Sequence, residues 1–392
     1  MKYDFGEAID RCKTNSLKYD FIEERGYPAD ILPLWVADMD FKIPHETAVA
    51  IKKSAEHGIY GYTEPKDSYY RALSGWFEKH FDYPIRQEWV LKTPGVVFAL
   101  SLAVRAFTKE GDAVLIQRPV YHPFSHVVLN NDRKLINNPL VLKDGKYCID
   151  FDDFEKKIVE NNIRLFIFCS PHNPVGRVWT TEELTKIAEI CIKHHCIVVS
   201  DEIHCDFVLS GHKHRILSSL SQEIADNTIL CTAPSKTFNL AGLQAANIVI
   251  TNPELRKQMY KELTRTGYSQ LNSVGLAACQ SSYEYGEGWL SQLKEYLGEN
   301  LKYIRHFLAE HLPQVKLIEP EGTYLLWLDF RETGIEPSEL DEFMKHKAKL
   351  WLNSGEIFGK EGLGFQRLNI ACPRTYLEQA MIRLKTAIDS LL

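Results

Sequence analysis

"RLFIFCSPHNPVGRVWTTEELTKIAEICIKHHCIVVSDE", residues Arg164 to Glu202, decides the fold. It opens on a short apolar and aromatic run and passes through a loop rich in proline and glycine. It continues as "TEELTKIAEICIKHH" (181–195), with a hydroxyl cap, acids in the first turn, apolar residues at helical spacing and basic residues at the end. A second β-branched run, "CIVVS", closes it. Such a helix carries the chain from one strand to the next, and a crossover of this length suits parallel strands.

The same alternation extends outward from Trp89 to Ile250, in "AVLIQ", "TILCTA" and "AANIVI". It predicts an α/β fold with a mainly parallel central sheet flanked by helices. After Gly288 the pattern changes to a long helical stretch, then "VKLIEP", "TYLLWLDF", another helix, "FQRLNI" and a terminal helix from about Thr375, which reads as a smaller α+β domain. The first 45 residues contain Pro28, Pro33 and Pro44 with little periodicity and predict an extended arm packed on another part of the assembly. The expected organisation is an arm over 1–45 that joins the small domain, a large domain over 46–288 and the small domain over 289–392.

With 392 residues, 45% hydrophobic and 25% charged, the chain can bury a core of two-domain size. A net charge of −6 without basic blocks argues against nucleic acid or an anionic membrane as an obligatory partner. "MKYDFGEAIDRC" has charges where a signal peptide needs an apolar core, and no apolar run approaches the ~20 residues of a membrane span. A soluble cytoplasmic protein is expected. Nine scattered cysteines without a CxxC pair read as reduced, buried thiols.

Five stretches could carry chemistry, and each alone has a plain explanation. In "TPGVVFALSLAVRAF", Gly95 opens a helix after the strand "WVLKT", so free N–H groups there could hold a phosphate, or the glycine simply makes a tight turn. In "RPVYHPF", Tyr121 could stack on a planar ligand or pack on its own turn. Asn173, in the loop after "RLFIF", could donate to a ligand oxygen or serve as a turn residue, and Asn173-Pro174 is a candidate cis peptide. Asp201 and Glu202 end a strand, where an acid holds a protonated ring nitrogen or caps a helix. Lys236 in "APSKTFNLAGL" also emerges at a strand's end rather than on a solvated helix face; the plain alternative is an exposed loop lysine.

Taken together the five are complementary. Each follows its own strand of one sheet, so all could meet along one edge. Pyridoxal 5'-phosphate (PLP) needs an anion cradle, a stacking partner, a donor for its phenolic oxygen, a carboxylate at its ring nitrogen and a lysine for covalent attachment. "CIKHHC" and "GHKHR" lack standard zinc spacing, and no metal site is expected. "GKEGLG" (359–364) lacks the strand-to-helix context of a dinucleotide site and reads as a mobile loop near the active site or a plain turn.

The stretches "PLWVADMDF", "GYT", "TPGVVFA", "FCSPHNPVGRVW", "SDEIHCD", "APSKTFNLAGL", "EGTYL" and "GFQRLN" closely resemble the cystalysin and cystathionine β-lyase-like carbon–sulfur β-lyases of the aspartate-aminotransferase fold, from Tyr3 to the terminal helix. The resemblance implies a PLP-dependent transferase-like fold and cleavage of cysteine-derived amino acids. It implies that Lys236 attaches PLP and acts in catalysis with Tyr121, that Asp201 meets the ring nitrogen and Asn173 the phenolic oxygen, and that Tyr121 stacks on the ring. The phosphate would lie at the N–H groups of Val96 and Val97 and the Ser235 hydroxyl, joined by Tyr62 of "GYT" from a second subunit of a homodimer. Arg367 would take the substrate carboxylate, with Tyr121 and Asn173 beside it.

The chain also departs from many aminotransferases of this fold. Gln244 stands where they place a phosphate-gripping arginine, and His204 stands where they often have a tyrosine near the cofactor. Both departures fit the lyases. Ala233 replaces a serine of some relatives, and His122 stands where cystalysin has a second tyrosine. An aminotransferase is the alternative reading, and an added regulatory binding role is a second.

Overall fold

The computed structural model, which describes residues 1–391, places seven strands in one sheet. Their order is Val90–Thr93, Ala246–Val249, Thr228–Thr232, Ile197–Asp201, Leu165–Cys169, Ala113–Ile116 and Lys134–Asn137. Ala246–Val249 runs antiparallel to both neighbours, and every other pairing is parallel. All residues of Ala113–Ile116, Leu165–Cys169 and Thr228–Thr232 are buried, as continuous apolar runs covered on both faces must be.

Alternation along the strands divides the two faces. Phe166, Phe168 and Val198 pack with Leu184, Ile187 and Cys191 of the helix Thr181–Lys193. Leu165, Ile167 and Val199 face Ala99, Leu100 and Ala103 of the helix Val96–Phe107. The hydroxyl cap of Thr181–Lys193 is Thr180, just ahead of the run that suggested it. Its Oγ1 accepts from the Glu183 N–H at 3.2 Å, and the Glu183 carboxylate accepts from the Thr180 N–H at 2.9 Å.

A second, antiparallel sheet has the order Lys316–Ile318, Leu325–Asp329, Phe365–Asn369 and Asn353–Ser354. The helices Glu287–His311 and Arg374–Asp389 belong to this part of the chain. The expected helix between its strands is only a turn, Leu340–Glu342, followed by a wide helical turn over Phe343–Lys347. Lys349, at φ 52°, breaks the coil so that Leu350–Trp351 can pair with Leu32–Pro33 of the arm. Phe5 of the arm packs on Trp289 and Tyr296 at 5.8 and 5.7 Å. Phe5 and Leu32–Pro33 thus pack on the carboxyl-terminal part of the same chain, while Met39 and Phe41 bond to Asn239 of the large-sheet part.

Among the described residues no helix is long and apolar enough to cross a membrane. All nine cysteines are free, and seven of them are buried. Asn173-Pro174 is cis, as are Arg118-Pro119 and Ser170-Pro171.

"GKEGLG" forms a docked turn rather than a free loop. The Val120 N–H donates to Phe358 O at 3.1 Å, and Asn137 Nδ2 donates to Glu361 Oε1 at 2.9 Å. Two short helical turns, Gly355–Phe358 and Lys360–Gly362, touch backbone to backbone, so a Cβ on Gly355 would stand 2.0 Å from Gly362 O. Gly355→Ala should therefore cost about 1–3 kcal/mol through overpacking and lower the thermal midpoint by several degrees. An unchanged midpoint in a melting scan would mean that the two turns separate freely.

Candidate active site

Strand register gathers the carboxyl ends of the parallel strands on one edge of the large sheet. Cys169 lies opposite Asp201 and Asp201 opposite Cys231, while Thr93 and Thr232 flank the start of Ala246–Val249. The loops after these strands carry the predicted residues.

Lys236 lies in the single turn Pro234–Thr237, where Pro234 begins the turn directly after the strand. Its side chain points inward, and Nζ donates to Ala37 O at 2.7 Å. Burial lowers the lysine's pKa to about 8; Asp38 and Asp201 oppose the shift and Arg367 adds to it.

The two acids after Ser200 part company. Glu202 is fully buried and saturated, accepting from Ser200 Oγ at 2.8 Å and the Leu217 N–H at 3.1 Å and pairing with His214 Nε2 at 2.6 Å. Asp201 accepts only the Ile203 N–H, at 3.2 Å. Burial pushes its pKa up to about 7, against the Ile203 N–H and the Lys236 charge. Glu202 is thus a structural acid, and Asp201 is the one that lacks a cation.

Arg367 reaches the same place from the small sheet. It is 4% exposed and has no carboxylate in salt-bridge range among the described residues. Its donors go to neutral oxygens: Asn173 Oδ1 at 2.9 Å, Trp35 O at 3.0 Å and Asn353 Oδ1. Its Nε has no partner. Burial draws the guanidinium's pKa down to about 10, with Tyr121 and Tyr324 opposing. Because Asn173 gives its oxygen to Arg367, its Nδ2 remains a free donor, and its carbonyl accepts the Tyr121 N–H at 3.0 Å. Burial raises the Tyr121 pKa, so its hydroxyl stays protonated.

The remaining predicted residues are distributed as follows. His204 is buried against Tyr324, with ring centroids 5.7 Å apart; burial lowers its pKa to about 3, with the Lys236 and Arg367 charges adding, so its imidazole is neutral. His122 stands 5.2 Å from the Tyr121 ring and is neutral for the same reason of burial, at about 4. Val96 is buried and Val97 is 38% exposed at the start of Val96–Phe107, and Ser235 is half-buried beside Lys236. A helix start leaves its first N–H groups without partners along the helix. Tyr62 is 98% exposed and is not brought to the site within one chain. Gln244 is exposed, at φ 50°. The remaining histidine clusters serve local structure: His194 Nε2 meets Glu155 at 2.7 Å, and His214 meets Glu202.

Sequence reasoning missed Trp35, Ala37, Tyr324 and Asn353. Ala37 O accepts from both Lys236 and Tyr324 Oη, the latter at 3.0 Å. A main-chain carbonyl leaves no mark in the residue type, and Asn353 sits in "LNSG", which reads as an ordinary turn.

A half-buried lysine and an acid without a salt bridge at the edge of a parallel sheet, together with a buried arginine from a second sheet that has no carboxylate partner, offer an anion to a cationic ring and a cation to a carboxylate. The chain belongs to the family Aminotransferase class I and II, whose pattern matches residues 29–384. It is 43% identical over 385 residues to the cystathionine beta-lyase PatB of Bacillus subtilis (strain 168), covering 98% of this chain and 100% of that protein. Its fold matches cystalysin from Treponema denticola, which contains a PLP cofactor, with TM-score 0.97, 39% identity and 100% of both chains covered. It also matches the PLP-bound C-S lyase from Staphylococcus hominis, with TM-score 0.92, 35% identity and 99% and 98% covered.

The raised pKa of Asp201 has a definite sign. Its contribution to stability is present below its usual 3.8 and is lost as the pH rises through about 7. In cofactor-free protein, Asp201→Asn should therefore melt higher than the unsubstituted protein above about pH 7, with the gap closing towards pH 3.8. Differential scanning fluorimetry across that range checks it; a gap independent of pH would contradict the buried charge.

Proposed function

We propose that the chain catalyses β-elimination of cysteine-derived amino acids such as L-cystathionine, cleaving the Cβ–S bond with PLP to give a thiol, pyruvate and ammonia. One observation carries this reading: Lys236, Asp201 and Arg367 lie close enough for their charges to act on one another, and none of them forms a salt bridge among the described residues. PLP fits them. Asp201 would hold the ring nitrogen, Asn173 Nδ2 the phenolic oxygen and Tyr121 the ring face, while Val96, Val97 and Ser235 would hold the phosphate. Gly95 ahead of that helix has open space where a side chain would stand. His204 would border the cofactor from the Tyr324 side.

When bound, the cofactor supplies an electron sink for the charge left when the substrate loses its α-proton. Arg367 receives the α-carboxylate in its planar fork, exchanging neutral acceptors for a charged one. Asn173, held by the same guanidinium, fixes the other side of the site. The Lys236 amine, with its pKa near 8, can exist neutral at physiological pH and remove the α-proton. Lys236 or the protonated Tyr121 hydroxyl returns a proton to the departing sulfur. An exposed Gln244 and a neutral His204 favour elimination over transamination, which would need no different scaffold.

The division into arm (1–45), large domain (46–288) and small domain (289–392) belongs to the same reading. So does a homodimer with its active site at the subunit interface: exposed Tyr62 can act only on another copy, and it borders an open groove between His45–Glu56 and Ser273–Tyr285. A cytoplasmic location and small sulfur-containing amino acids as partners complete it.

Purified enzyme should release pyruvate and thiol from L-cystathionine without a keto-acid acceptor; dependence on an acceptor would mean an aminotransferase. Lys236→Ala should lose both turnover and the yellow, borohydride-fixable absorbance. Arg367→Lys should raise KM about tenfold or more while the absorbance persists, because a point charge cannot replace the bidentate fork. A wild-type KM in that variant would remove Arg367 from carboxylate binding.

A further inference from the structure

Trp35–Phe41 has no regular secondary structure, yet side chains hold its carbonyls almost one after another. Trp35 O accepts from Arg367, and Ala37 O accepts from Lys236 and Tyr324. Val36 O and Asp38 O both accept from Asn369 Nδ2 at 2.7 Å, and Met39 O and Phe41 O both accept from Asn239 Nδ2 at 3.0 Å.

The acidic side chains of this segment turn instead to the first part of the arm. Arg11 spans two of them, with Nη2 2.6 Å from Asp38 Oδ2 and Nη1 2.7 Å from Asp40 Oδ1. Lys18 takes the other oxygen of Asp40 at 2.6 Å, and both of those side chains are closed to solvent. The arm is shaped for this. Asp20 gathers the N–H groups of Lys13, Thr14 and Ser16, and the Tyr19 ring lies under both Arg11 and Lys18, 5.3 and 5.6 Å away.

Stability alone is a weak reason for such a network. Removing two charges from water costs several kcal/mol per ion, and packed apolar side chains often serve a fold as well. Apolar side chains would not supply directional bonds that fix the height and rotation of a segment lacking a ladder of its own. That segment supplies an acceptor to Arg367 and one to Lys236, so its placement sets theirs.

We infer that Arg11, Lys18, Asp38 and Asp40 form an ionic latch between the first part of the arm, around Arg11 and Lys18, and its last part, Trp35–Phe41, that positions Arg367 for capture of the amino acid's carboxylate. The four are positioning residues: the hydrogen bonds of their side chains go to one another and to Met39 O. The inference rests on the assignment of Arg367 and PLP in the proposed function.

The outer pair is the more accessible, each member 23% exposed, and Asp38→Asn leaves Arg11 paired with Asp40. Holoenzyme carrying Asp38→Asn or Arg11→Met is titrated with L-alanine, which lacks a leaving group, and binding is followed by the visible absorbance of the bound PLP. The apparent Kd should rise about tenfold, as for a misplaced receptor group. KM for L-cystathionine should rise in parallel, kcat should stay within about twofold, and Asp38→Glu should recover part of the loss. A lowered thermal midpoint with unchanged Kd would overturn the inference and leave a structural brace; a fall in kcat alone would overturn it too. Should the unsubstituted enzyme not cleave L-cystathionine, the proposed reaction fails, and the L-alanine titration still decides the latch.

Discussion

A full positive charge inside the protein, met by neutral oxygens and by the Phe358 ring 4.9 Å away, organises the site. Arg367 projects from the strand Phe365–Asn369, and its fork is shared among Asn173, Trp35 and Asn353. Those three lie on different parts of the chain, so one guanidinium ties the large-sheet loop, the arm segment and the small sheet together. Its demand also fixes the Asn173 amide, and the Asn173 carbonyl in turn holds the backbone of Tyr121. A carboxylate built into the protein would have satisfied the charge better and left nothing for a ligand to do.

Hydrogen bonding distinguishes the buried acids of this region from one another. Glu202 and Asp201 are adjacent and both buried, yet Glu202 has three partners and Asp201 one. Asp206, a further buried acid, is likewise met, by Trp76 Nε1 at 3.0 Å and Thr237 Oγ1 at 2.6 Å. Burial drives Asp201 and Lys236 to pKa values near neutrality, about 7 and about 8, and raises Asp206 as well, against its two hydrogen bonds. Two such groups on the edge of one sheet can each change charge when a ligand arrives, which is the property that a reaction moving protons requires.

The local signals in the sequence are the ones that the structure honours. β-Branched runs and a capped amphipathic helix are dictated within a few residues, so the strands around Arg164–Glu202 and the edge they share could be read directly. What could not be read depends on distant contacts. Ala246–Val249 reverses against its near neighbour Thr228–Thr232 and also takes Val90–Thr93, more than a hundred residues earlier, as its other partner. The shortened helix before Leu350 is decided by the arm strand it must reach. Trp35 and Ala37 act through carbonyls that every residue type possesses.

These observations also explain why a site of this kind is costly to keep empty. Burial disfavours the charged forms of Lys236, Asp201 and Arg367, and the fold surrounding them must offset that penalty through its core. A ligand that brings a cation to Asp201 and a carboxylate to Arg367 removes part of the penalty, so its binding energy is added to folding by mass action. The same charges that destabilise the free protein are the source of affinity for the ligands. In the proposed site, replacing them with better-paired residues would trade recognition for stability.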